Sequence, residues 1–411
     1  MLSLHFRRTP CSDTVNGKVT DRIKENPVES RLFRTFNLAA VAAVAVLAST
    51  ACGGSSSSTT STSSGDTSST STAALDTAYK GVTGTPPTTA TKPKAGVKLW
   101  VISCGESVPS CATPVKAAQE AAKAAGWTVS VCDGQLNPNQ WGACVRQGIS
   151  AKANVIIPIG IDCRDIKAPS EEAKAAGVTI VGGGGADCDA SGGTKLWASE
   201  RLQLDGYTIK QYWELNGKLN ADWLIGKSNG KAQVLTVNFT DPLWGPWITE
   251  GFTKELATCS GCKIIKQLDL ANNDFVSNTA VSKFSTALLQ APTADSIFVA
   301  VGGWMSGGLA QAVVSSGRVA KLQVTTGFGD AANYDFIRNN RGQNAVVGYA
   351  SPWGAWGSVD TAIRVLNGEQ PVVEGDGMQI VDKDHGMPAA GQDFQPSVDY
   401  VAAYKKAWGV S

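Results

Sequence analysis

Eight cysteines between residues 104 and 262 are the side chains best suited to chemistry in this chain, because thiols can form disulfides, bind metals or exchange electrons. They fall into four pairs of near neighbours: Cys104 with Cys111, Cys132 with Cys144, Cys163 with Cys188, and Cys259 with Cys262. An even number favours disulfides if the chain is exported, although eight cysteines allow about a hundred pairings and spacing alone does not choose among them. Since each pair closes a loop at the end of a predicted strand, we predict these four disulfides.

Metal binding and redox chemistry are the alternatives for the same cysteines. A zinc site is not indicated, because His385 is the one histidine beyond residue 52 and no second CxxC accompanies residues 259–262. That CxxC is also a poor thioredoxin-like motif, since it is predicted between a helix and a strand and not at a helix start, where a thiolate is stabilised. We therefore expect neither a metal nor a cofactor.

Residues 226–230 (GKSNG) match the GxSxG pattern of a hydrolase nucleophile, and Asp376 and His385 follow in the order that such hydrolases use. In those enzymes the serine lies on a turn from strand to helix, whereas here the pentapeptide is predicted to join a helix to a strand. The same residues do not form a phosphate-binding P-loop, because Ala221 stands where that motif needs its first glycine. The sequence therefore predicts that the protein is not an enzyme.

Cys52 ends an apolar segment and begins a tract, residues 53–72, that is almost entirely Ser, Thr and Gly. Arg31 and Arg34 supply a positive region, residues 38–47 an apolar core, and small residues precede the cysteine, which together indicate a secretory signal. The pattern resembles a bacterial lipoprotein signal. We therefore predict that Cys52 is lipidated and that the protein contacts the membrane through this anchor.

Two features of this N-terminal region depart from the usual pattern. Ser49 stands three residues before Cys52, where a lipoprotein signal usually has Leu, and the nearest Leu is Leu47. An ordinary signal peptide or a short membrane helix is the alternative, although the apolar run is shorter than the ~20 residues that span a bilayer. Residues 1–30 fit no part of a signal, and an initiation site at Val28 would remove most of them.

The chain from about residue 96 to 411 is long enough for two domains, and 43% hydrophobic residues in the whole sequence suffice to build their cores. The formal net charge is only +1, and no basic stripe interleaved with aromatic residues occurs. Nucleic acid is therefore not an expected partner.

Strands and helices alternate in two successive runs. In the first run we predict strands at 98–103, 128–132, 155–159 and 179–181, with helices at 114–125, 139–151 and 170–176. In the second we predict helices at 204–224, 247–257, 278–290 and 306–316, with strands at 232–238, 263–268, 296–301 and 323–327. The continuous apolar strands indicate an α/β fold with two doubly wound parallel-sheet lobes, whose ligand should lie beyond the carboxyl ends of the strands.

Five segments carry a resemblance to a known family: residues 117–162, 171–181, 317–328, 359–371 and 399–409. In order and spacing they resemble type I periplasmic solute-binding proteins, and more narrowly the ribose-binding-protein-like sugar-binding lipoproteins of ABC importers. The resemblance implies two lobes joined by a three-crossing hinge, with crossings near residues 185–198, 350–353 and 371–375. It places helix 356–366 in the first lobe and helix 398–408 in the second.

The expected organisation follows from the signal pattern and from this resemblance. It comprises an N-terminal extension with signal peptide (1–52), a Ser/Thr/Pro-rich flexible linker (53–95), lobe 1 (96–197 and 352–372) and lobe 2 (198–351 and 373–411).

The chain departs from this family at positions that usually bind sugar hydroxyls. Family members that bind simple sugars usually have Asp-Arg, Arg, Asn-Asp and Asp where this chain has Gly184-Gly185, Ile248, Gly302-Gly303 and Gly329. An alignment error of one or two residues is one explanation. The other is a different ligand chemistry, since glycines leave volume and allow close backbone approach, while neighbouring tryptophans stack on a ring face.

Polar and aromatic side chains that follow the predicted strands, or lie at a hinge crossing, are the candidate ligand contacts. They are Glu106, Ser107, Asp162, Asn238, Asp241, Trp244, Trp304, Asp330 and Trp353. Carboxylates accept hydrogen bonds from sugar hydroxyls and tryptophans stack on ring faces, so a ring-shaped polar solute is the expected guest. A core tryptophan, a helix cap or a solvated loop residue is the alternative at each position.

The resemblance implies a receptor that delivers a small solute, a sugar or sugar-like compound, to the permease subunits of an ABC importer. A lipoprotein that presents its solute to a membrane sensor kinase is the alternative function. In either case the protein would be extracytoplasmic and lipid-anchored to the outer face of the cell membrane.

Overall fold

Residues 65–411 are described by the computed structural model, and the predicted signal peptide with Cys52 lies outside them. The described chain forms two lobes, each built on its own sheet with helices on both faces. The predicted α/β fold with two parallel-sheet lobes is confirmed, because β strands and α helices alternate along both runs.

Lobe 1 contains a four-stranded parallel sheet with the strand order β2-β1-β3-β4. Its strands are β1 (Lys98–Ser103), β2 (Thr128–Asp133), β3 (Val155–Pro158) and β4 (Thr179–Ile180). Its connecting helices are α2 (Pro109–Ala124), α3 (Pro138–Ser150) and α4 (Lys167–Ala175). All four residues of β3 are buried, as expected for a strand of a parallel sheet that is covered on both faces.

Lobe 2 contains a six-stranded sheet with the order β10-β9-β8-β7-β5-β6, in which only β10 is antiparallel to its neighbour. Its strands are β5 (Gln233–Phe239), β6 (Lys263–Leu270), β7 (Ser296–Val299), β8 (Gln323–Phe328), β9 (Ala345–Tyr349) and β10 (Met378–Asp382). Its helices are α5 (Ile209–Lys227), α6 (Trp244–Leu256), α7 (Asn272–Val276), α8 (Ala280–Gln290), α9 (Ala310–Ser315) and α10 (Ala331–Arg338).

Helix α5 illustrates how the sequence sets the boundaries of these elements. Thr208 caps its start, because the threonine hydroxyl accepts the N–H of Gln211 while the Gln211 side chain accepts the N–H of Thr208. Most of the helix is then buried between the lobe 2 sheet and α6, and its buried residues include Asn216, Asn220 and Asp222 besides the apolar ones.

The last helices of the chain return to lobe 1: α11 (Ser351–Asn367) and α12 (Tyr400–Trp408). Helix α12 differs from the expectation that residues 398–408 close the second lobe. Its Tyr404 and Trp408 join the apolar core of the lobe 1 sheet, and the Trp408 ring stacks on Trp356 of α11 at 5.4 Å. Trp408 Nε1 also donates to Asp360 at 2.7 Å, which fixes the two helices together.

The N-terminal part of the described chain is folded onto the lobes, which differs from the flexible linker expected for residues 53–95. Helix α1 (Gly65–Lys80) packs against α5, Ala78 is fully buried, and the Tyr79 hydroxyl donates to Asp382 of β10 at 2.6 Å. Tertiary contacts of this kind stabilise a helix whose Ser/Thr-rich composition does not favour one.

Residues 81–95, which we call the strap, run from lobe 2 to lobe 1. Val82 exchanges two backbone hydrogen bonds of 2.8 Å with Met378, next to the third hinge crossing. Further along, the Thr91 N–H donates to the Ala407 carbonyl and the Trp127 indole donates to the Lys94 carbonyl, both at 2.9 Å. The strap therefore adds a connection between the lobes to the three that the resemblance implies.

The four predicted disulfides are all present, with Cα–Cα distances from 4.9 to 5.7 Å. Three of them staple loops of lobe 1, and the fourth closes the turn between α6 and β6. In residues 65–411 no helix combines the length and the apolar composition needed to cross a membrane.

Candidate ligand-binding cleft

A cavity of about 860 Å³ lies between the two lobes, where the loops that follow their strands face each other. Lobe 1 contributes residues after β1, β2 and β3, and lobe 2 contributes residues after β5, β6 and β7. This is the location expected from the sequence, because the carboxyl ends of parallel strands lie at one edge of each sheet.

The lobe 1 side of the cavity is held by cross-links between neighbouring loops. Cys104 and Cys111 join the end of β1 to the first turn of α2. Trp141 of α3 donates its indole N–H to the Cys104 carbonyl at 3.0 Å, and Asn137 caps α3 by accepting the Asn139 N–H at 2.9 Å. These contacts hold the serine and amide side chains of the two loops in fixed positions beside the cavity.

The lobe 2 side of the cavity is a continuous row of aromatic rings, which we call the aromatic wall. It consists of Phe275, Trp304, Phe239, Trp244, Phe328, Trp213 and Tyr349. Successive ring centroids along this row are 4.9, 4.9, 5.1, 5.4, 5.7 and 6.1 Å apart. Most pairs are tilted or edge-to-face, the arrangement that aromatic quadrupoles prefer. The wall is therefore a rigid apolar surface.

Arg201 lies near the first hinge crossing and forms hydrogen bonds to residues at the other two crossings. Its guanidinium donates to the Glu374 carboxylate at 2.7 and 2.9 Å, to Asp376 at 2.5 Å and to the Tyr349 hydroxyl at 2.9 Å. Tyr349 ends the strand before the second crossing, whereas Glu374 and Asp376 lie at the third. Arg201 and Tyr349 also line the cavity, so the hinge forms part of its wall.

The Arg201 cluster is buried and carries more carboxyl groups than cations. Burial raises the pKa of Glu374 to about 8 and also raises the pKa of Asp376, while Arg201 opposes both shifts. Two carboxyl groups thus share one guanidinium in a buried site. Two glycines of α11 make room for the cluster: a Cβ at Gly354 would lie 2.0 Å from the Arg201 guanidinium, and one at Gly357 would lie 2.4 Å from the Glu374 carboxyl.

The lobes touch at one edge of the cavity, which we call the seam. The seam consists of Asp162, Arg164 and Asp165 from lobe 1 and Asp241 and Leu243 from lobe 2. The Asp162 carboxylate accepts the Ala186 N–H of its own lobe at 2.9 Å and the Leu243 N–H of the other lobe at 2.6 Å. The Arg164 guanidinium donates to the Asp241 carbonyl. Because both contacts cross between the lobes, the structure shows the cleft in a closed form.

Closure leaves the carboxyl groups of the seam partly without water. Desolvation is the main cause that raises the pKa of Asp165 to about 6, and the charges of Asp162 and Asp241 act in the same direction while Arg164 opposes them. Desolvation likewise raises the pKa of Asp162, although its two N–H donors oppose the shift. The closed seam therefore favours the protonated forms of Asp162 and Asp165.

Four of the nine candidate ligand contacts line the cavity: Ser107, Asp241, Trp244 and Trp304. Asp162 lies at the seam, where it joins the lobes. Glu106 is exposed on the loop after β1, and its backbone N–H donates to Asp133 at 2.9 Å.

The side chains of the other three candidates bond to groups of the protein and do not line the cavity. Asn238 donates to Asp269 of the neighbouring strand at 2.8 Å. Asp330 caps α10 by accepting the Ala332 N–H at 2.9 Å. Trp353 is fully buried and donates to the Glu374 carbonyl at 2.9 Å. For these three residues the helix-cap or core alternative describes the position better than ligand contact does.

Glycines occupy part of the cleft where sugar-binding members of the family usually carry charged groups. Gly184 and Gly303 line the cavity, and a Cβ at Gly303 would have only the Ser110 hydroxyl, at 4.0 Å, within contact distance. Gly185, in contrast, is a packing glycine, because a Cβ there would lie 2.1 Å from the Ile161 carbonyl oxygen. Ile248 is fully buried in the core of lobe 2. Gly303 therefore faces open space in the cleft.

Much of the aromatic wall was not among the residues predicted from the sequence. Trp213 lies within α5 and not after a strand, and Tyr349 ends β9, a strand that was not predicted. Phe239 and Phe328 are the last residues of β5 and β8, so an aromatic residue at a strand end was the available signal. Asp165 lies three residues after Asp162 in the loop that follows β3.

The GKSNG segment is placed as expected from the sequence. It begins at the end of α5 and precedes β5, so it is a helix-to-strand turn. The Ser228 hydroxyl donates to the Ile225 carbonyl at 3.2 Å and accepts the Lys231 N–H at 3.1 Å, which are the contacts of a helix end.

A family model and several solved structures match this chain. A family model described as a periplasmic binding protein domain matches residues 107–370. A galactofuranose binding protein of solved structure is 18% identical, with a TM-score of 0.60, over 70% of this chain and 95% of that chain. A periplasmic solute binding protein of an ABC transporter from Actinobacillus succinogenes, with bound D-allose, is 18% identical, with a TM-score of 0.58, over 70% of this chain and 98% of that chain.

A third structure, an ABC transporter solute binding protein from Burkholderia graminis in complex with D-arabinose, is 17% identical, with a TM-score of 0.60, over 72% of this chain and 99% of that chain. No curated protein matches the chain in sequence. The structural likenesses show the fold, and the family match spans well over half of the chain. The chain therefore belongs to the periplasmic binding protein domain family and has its type I, two-lobed fold.

Proposed function

We propose that the protein is an extracytoplasmic solute-binding lipoprotein that captures a small ring-shaped polar solute, a sugar or sugar-like compound, and delivers it to an ABC importer. The observation that carries this proposal is the 860 Å³ cavity between two hinged lobes, with polar loops on one side and the aromatic wall on the other. Pockets of roughly 300–1,000 Å³ are typical of small-molecule sites. Members of this family are binding proteins and not enzymes, in agreement with the helix-end position of Ser228.

Capture would work by closure of the lobes over the solute. A solute that contacts both lobes shifts the equilibrium between open and closed forms by the difference in its affinity for the two. Trp244 and Trp304 would stack on a ring face, while Ser107 and Asp241 would bond its hydroxyl groups. The seam would then form, with Asp162 accepting the Leu243 N–H of the opposite lobe.

The anchor would hold this receptor at the membrane surface. Lipidation of Cys52 would attach the chain to the outer face of the cell membrane, and residues 53–64 would separate the lipid from α1. The importer's permease would then receive the closed protein. The signal pattern before Cys52 supports this part of the proposal.

Binding and closure can be tested on the purified full-length protein. We expect a member of a panel of neutral sugars and their glycosides to raise the melting temperature, since a ligand at 100 times its Kd stabilises the folded form by about 2.7 kcal/mol. Calorimetry should show that Trp244→Ala and Trp304→Ala, measured where they remain folded, bind this ligand at least tenfold more weakly. Both rings are more than 90% buried, so their unliganded melting temperatures should also fall.

The exposed Leu289, on α8 and 82% accessible, offers a control, and Leu289→Ala should bind like the parent. Unchanged affinity in both tryptophan variants would place the binding site elsewhere. A failure of the whole panel to bind would contradict the proposed sugar receptor. To test delivery, cells that lack the protein should lose uptake of the labelled solute, whereas loss of a transcriptional response with normal uptake would indicate sensing.

A further inference from the structure

The cleft is larger and less polar than a receptor for a simple sugar requires. We infer that its guest is a neutral amphipathic glycoside, a sugar that carries an uncharged aromatic or similarly apolar substituent. The inference rests on the proposed function and specifies the class of solute. Three features of the described chain carry it: the extent of the aromatic wall, the charge of the lining and the open space at Gly303.

The aromatic wall extends further than one sugar ring can cover. Seven rings follow one another from Phe275 to Tyr349, with centroid separations of 4.9 to 6.1 Å. A pyranose stacks on one or two such rings and leaves the remaining apolar surface in contact with water. A substituent that is itself apolar would cover the rest of the wall, and burial of apolar surface stabilises the closed form. The volume of about 860 Å³ accommodates both parts.

Neutral polar side chains line the cavity from both lobes, and those of lobe 1 lie across from the aromatic wall; the lobe 2 members are Asn272, Asn273 and Ser306. Ser107, Ser110 and Asn137 of lobe 1 offer hydroxyl and amide groups from the two cross-linked loops. Such groups donate and accept hydrogen bonds without a net charge, which suits sugar hydroxyls. The hydroxyl groups of the sugar would thus bond to lobe 1, while one face of its ring and the apolar substituent would lie against the aromatic wall of lobe 2.

The charge of the lining excludes an anionic guest. Among the lining residues of the described chain the charged side chains are Asp165, Arg201 and Asp241. The single cation, Arg201, is already bonded to Glu374 and Asp376, so it would have to give up a buried partner to bind a ligand phosphate or carboxylate. The two carboxylates repel an anion, and each already has a partner in the protein: Asp165 lies 3.8 Å from the Arg164 guanidinium, and Asp241 accepts the Asn272 N–H at 2.6 Å. The lining therefore favours an uncharged guest.

Gly303 faces open space in the cleft between the lobes. Its added Cβ would contact only Ser110 of the opposite lobe, and its neighbour Trp304 belongs to the aromatic wall. A side chain at this position would occupy the cleft without disturbing the packing of either lobe. Gly303→Leu is therefore a blocking variant, and Gly303→Ala is its matched control.

The test compares sugars with their glycosides on the full-length protein by calorimetry. The probes are D-glucose, D-galactose, phenyl β-D-glucoside, phenyl β-D-galactoside and phenyl β-D-glucuronide. We expect at least one phenyl glycoside to bind at least tenfold more tightly than its parent sugar, and the glucuronide to bind at least tenfold more weakly than phenyl β-D-glucoside. Gly303→Leu should weaken glycoside binding at least tenfold, and Gly303→Ala should have a smaller effect.

Trp304→Ala is a second variant that does not depend on the leucine being tolerated. It should reduce the ratio between glycoside and sugar affinities more than it reduces sugar affinity itself. Equal or tighter binding of the free sugars would overturn the inference and leave the proposed receptor function standing. Binding of neither series would contradict both. Tight glycoside binding that is unaffected in folded Gly303→Leu and in Trp304→Ala would also overturn the inference, since the guest would lie elsewhere.

Discussion

Acidification should tighten solute binding, because closure brings Asp165 into a desolvated seam beside two further carboxyl groups. In the closed structure the pKa of Asp165 is raised from its ordinary value near 3.8 to about 6, first by desolvation and then by the charge of Asp162. Asp241 acts in the same direction and Arg164 opposes them. In an open form the same carboxyl group would be hydrated and would keep its ordinary pKa.

The sign and the size of the effect follow from this difference. A carboxyl group whose pKa is higher in the closed form favours closure fully below about pH 4, and this contribution is lost as the pH rises through about 6. Between pH 7.5 and 5.5 the difference in proton binding tightens the affinity up to about fourfold. Asp165→Asn resembles the protonated group at every pH. At pH 7.5 this substitution can tighten the affinity for the solute by at most roughly 100-fold. Because 27% of the Asp165 side chain is exposed and solvent screens its charge, we expect the affinity to rise about tenfold.

Calorimetry with phenyl β-D-glucoside at pH 7.5 and 5.5 measures both effects. Wild type should bind more tightly at the lower pH, and Asp165→Asn should bind more tightly at pH 7.5 with a smaller dependence on pH. Glu171→Gln, which removes an exposed carboxyl group on α4, is the control and should behave like wild type. Weaker binding by Asp165→Asn at pH 7.5, or an unchanged dependence on pH, would refute the reasoning.

Three further changes test other parts of the structure. Arg201→Met should lower the free energy of unfolding by about 3–5 kcal/mol in thermal denaturation, because it leaves two buried carboxyl groups without their cation; a loss no larger than that of the exposed-site control Arg146→Met would contradict the hinge assignment. Replacing Cys163 and Cys188 together by Ser should lower the free energy of unfolding by about 3 kcal/mol in urea denaturation, because their disulfide spans a sequence separation of 25 residues. An unchanged denaturation midpoint would show that this disulfide does not stabilise the fold. Cys52→Ala should move the protein from the membrane to the soluble fraction on immunoblots, and continued membrane retention would disprove lipidation.

The sequence predicted the elements whose signal is local. The buried strands β1 and β3 were predicted within one residue of their bounds, because continuous apolar runs between turn residues are typical of parallel sheets. Strand β10 was missed, since it depends on antiparallel pairing with β9, about 30 residues away. Helix α1 was missed because its stability comes from contacts with lobe 2, among them the bond from Tyr79 to Asp382.

The location of the candidate site was predicted better than the residues that line it. The rule that ligands lie beyond the strand ends located the cleft and four of its lining residues. It did not distinguish side chains that point into the cleft from those that bond within a lobe, such as Asn238 with Asp269. It also passed over Trp213, which reaches the cleft from a helix.

Small-angle X-ray scattering of the full-length protein, with and without saturating solute, tests the central claim most directly. The account predicts that the radius of gyration of wild type decreases on saturation with the tightest-binding glycoside, as the two lobes close over it. At a solute concentration near the wild-type Kd, folded Gly303→Leu should show much less compaction than wild type, because it binds the solute at least tenfold more weakly. Full calorimetric binding with an unchanged radius of gyration, or equal compaction of wild type and Gly303→Leu, would contradict capture by closure over this cleft.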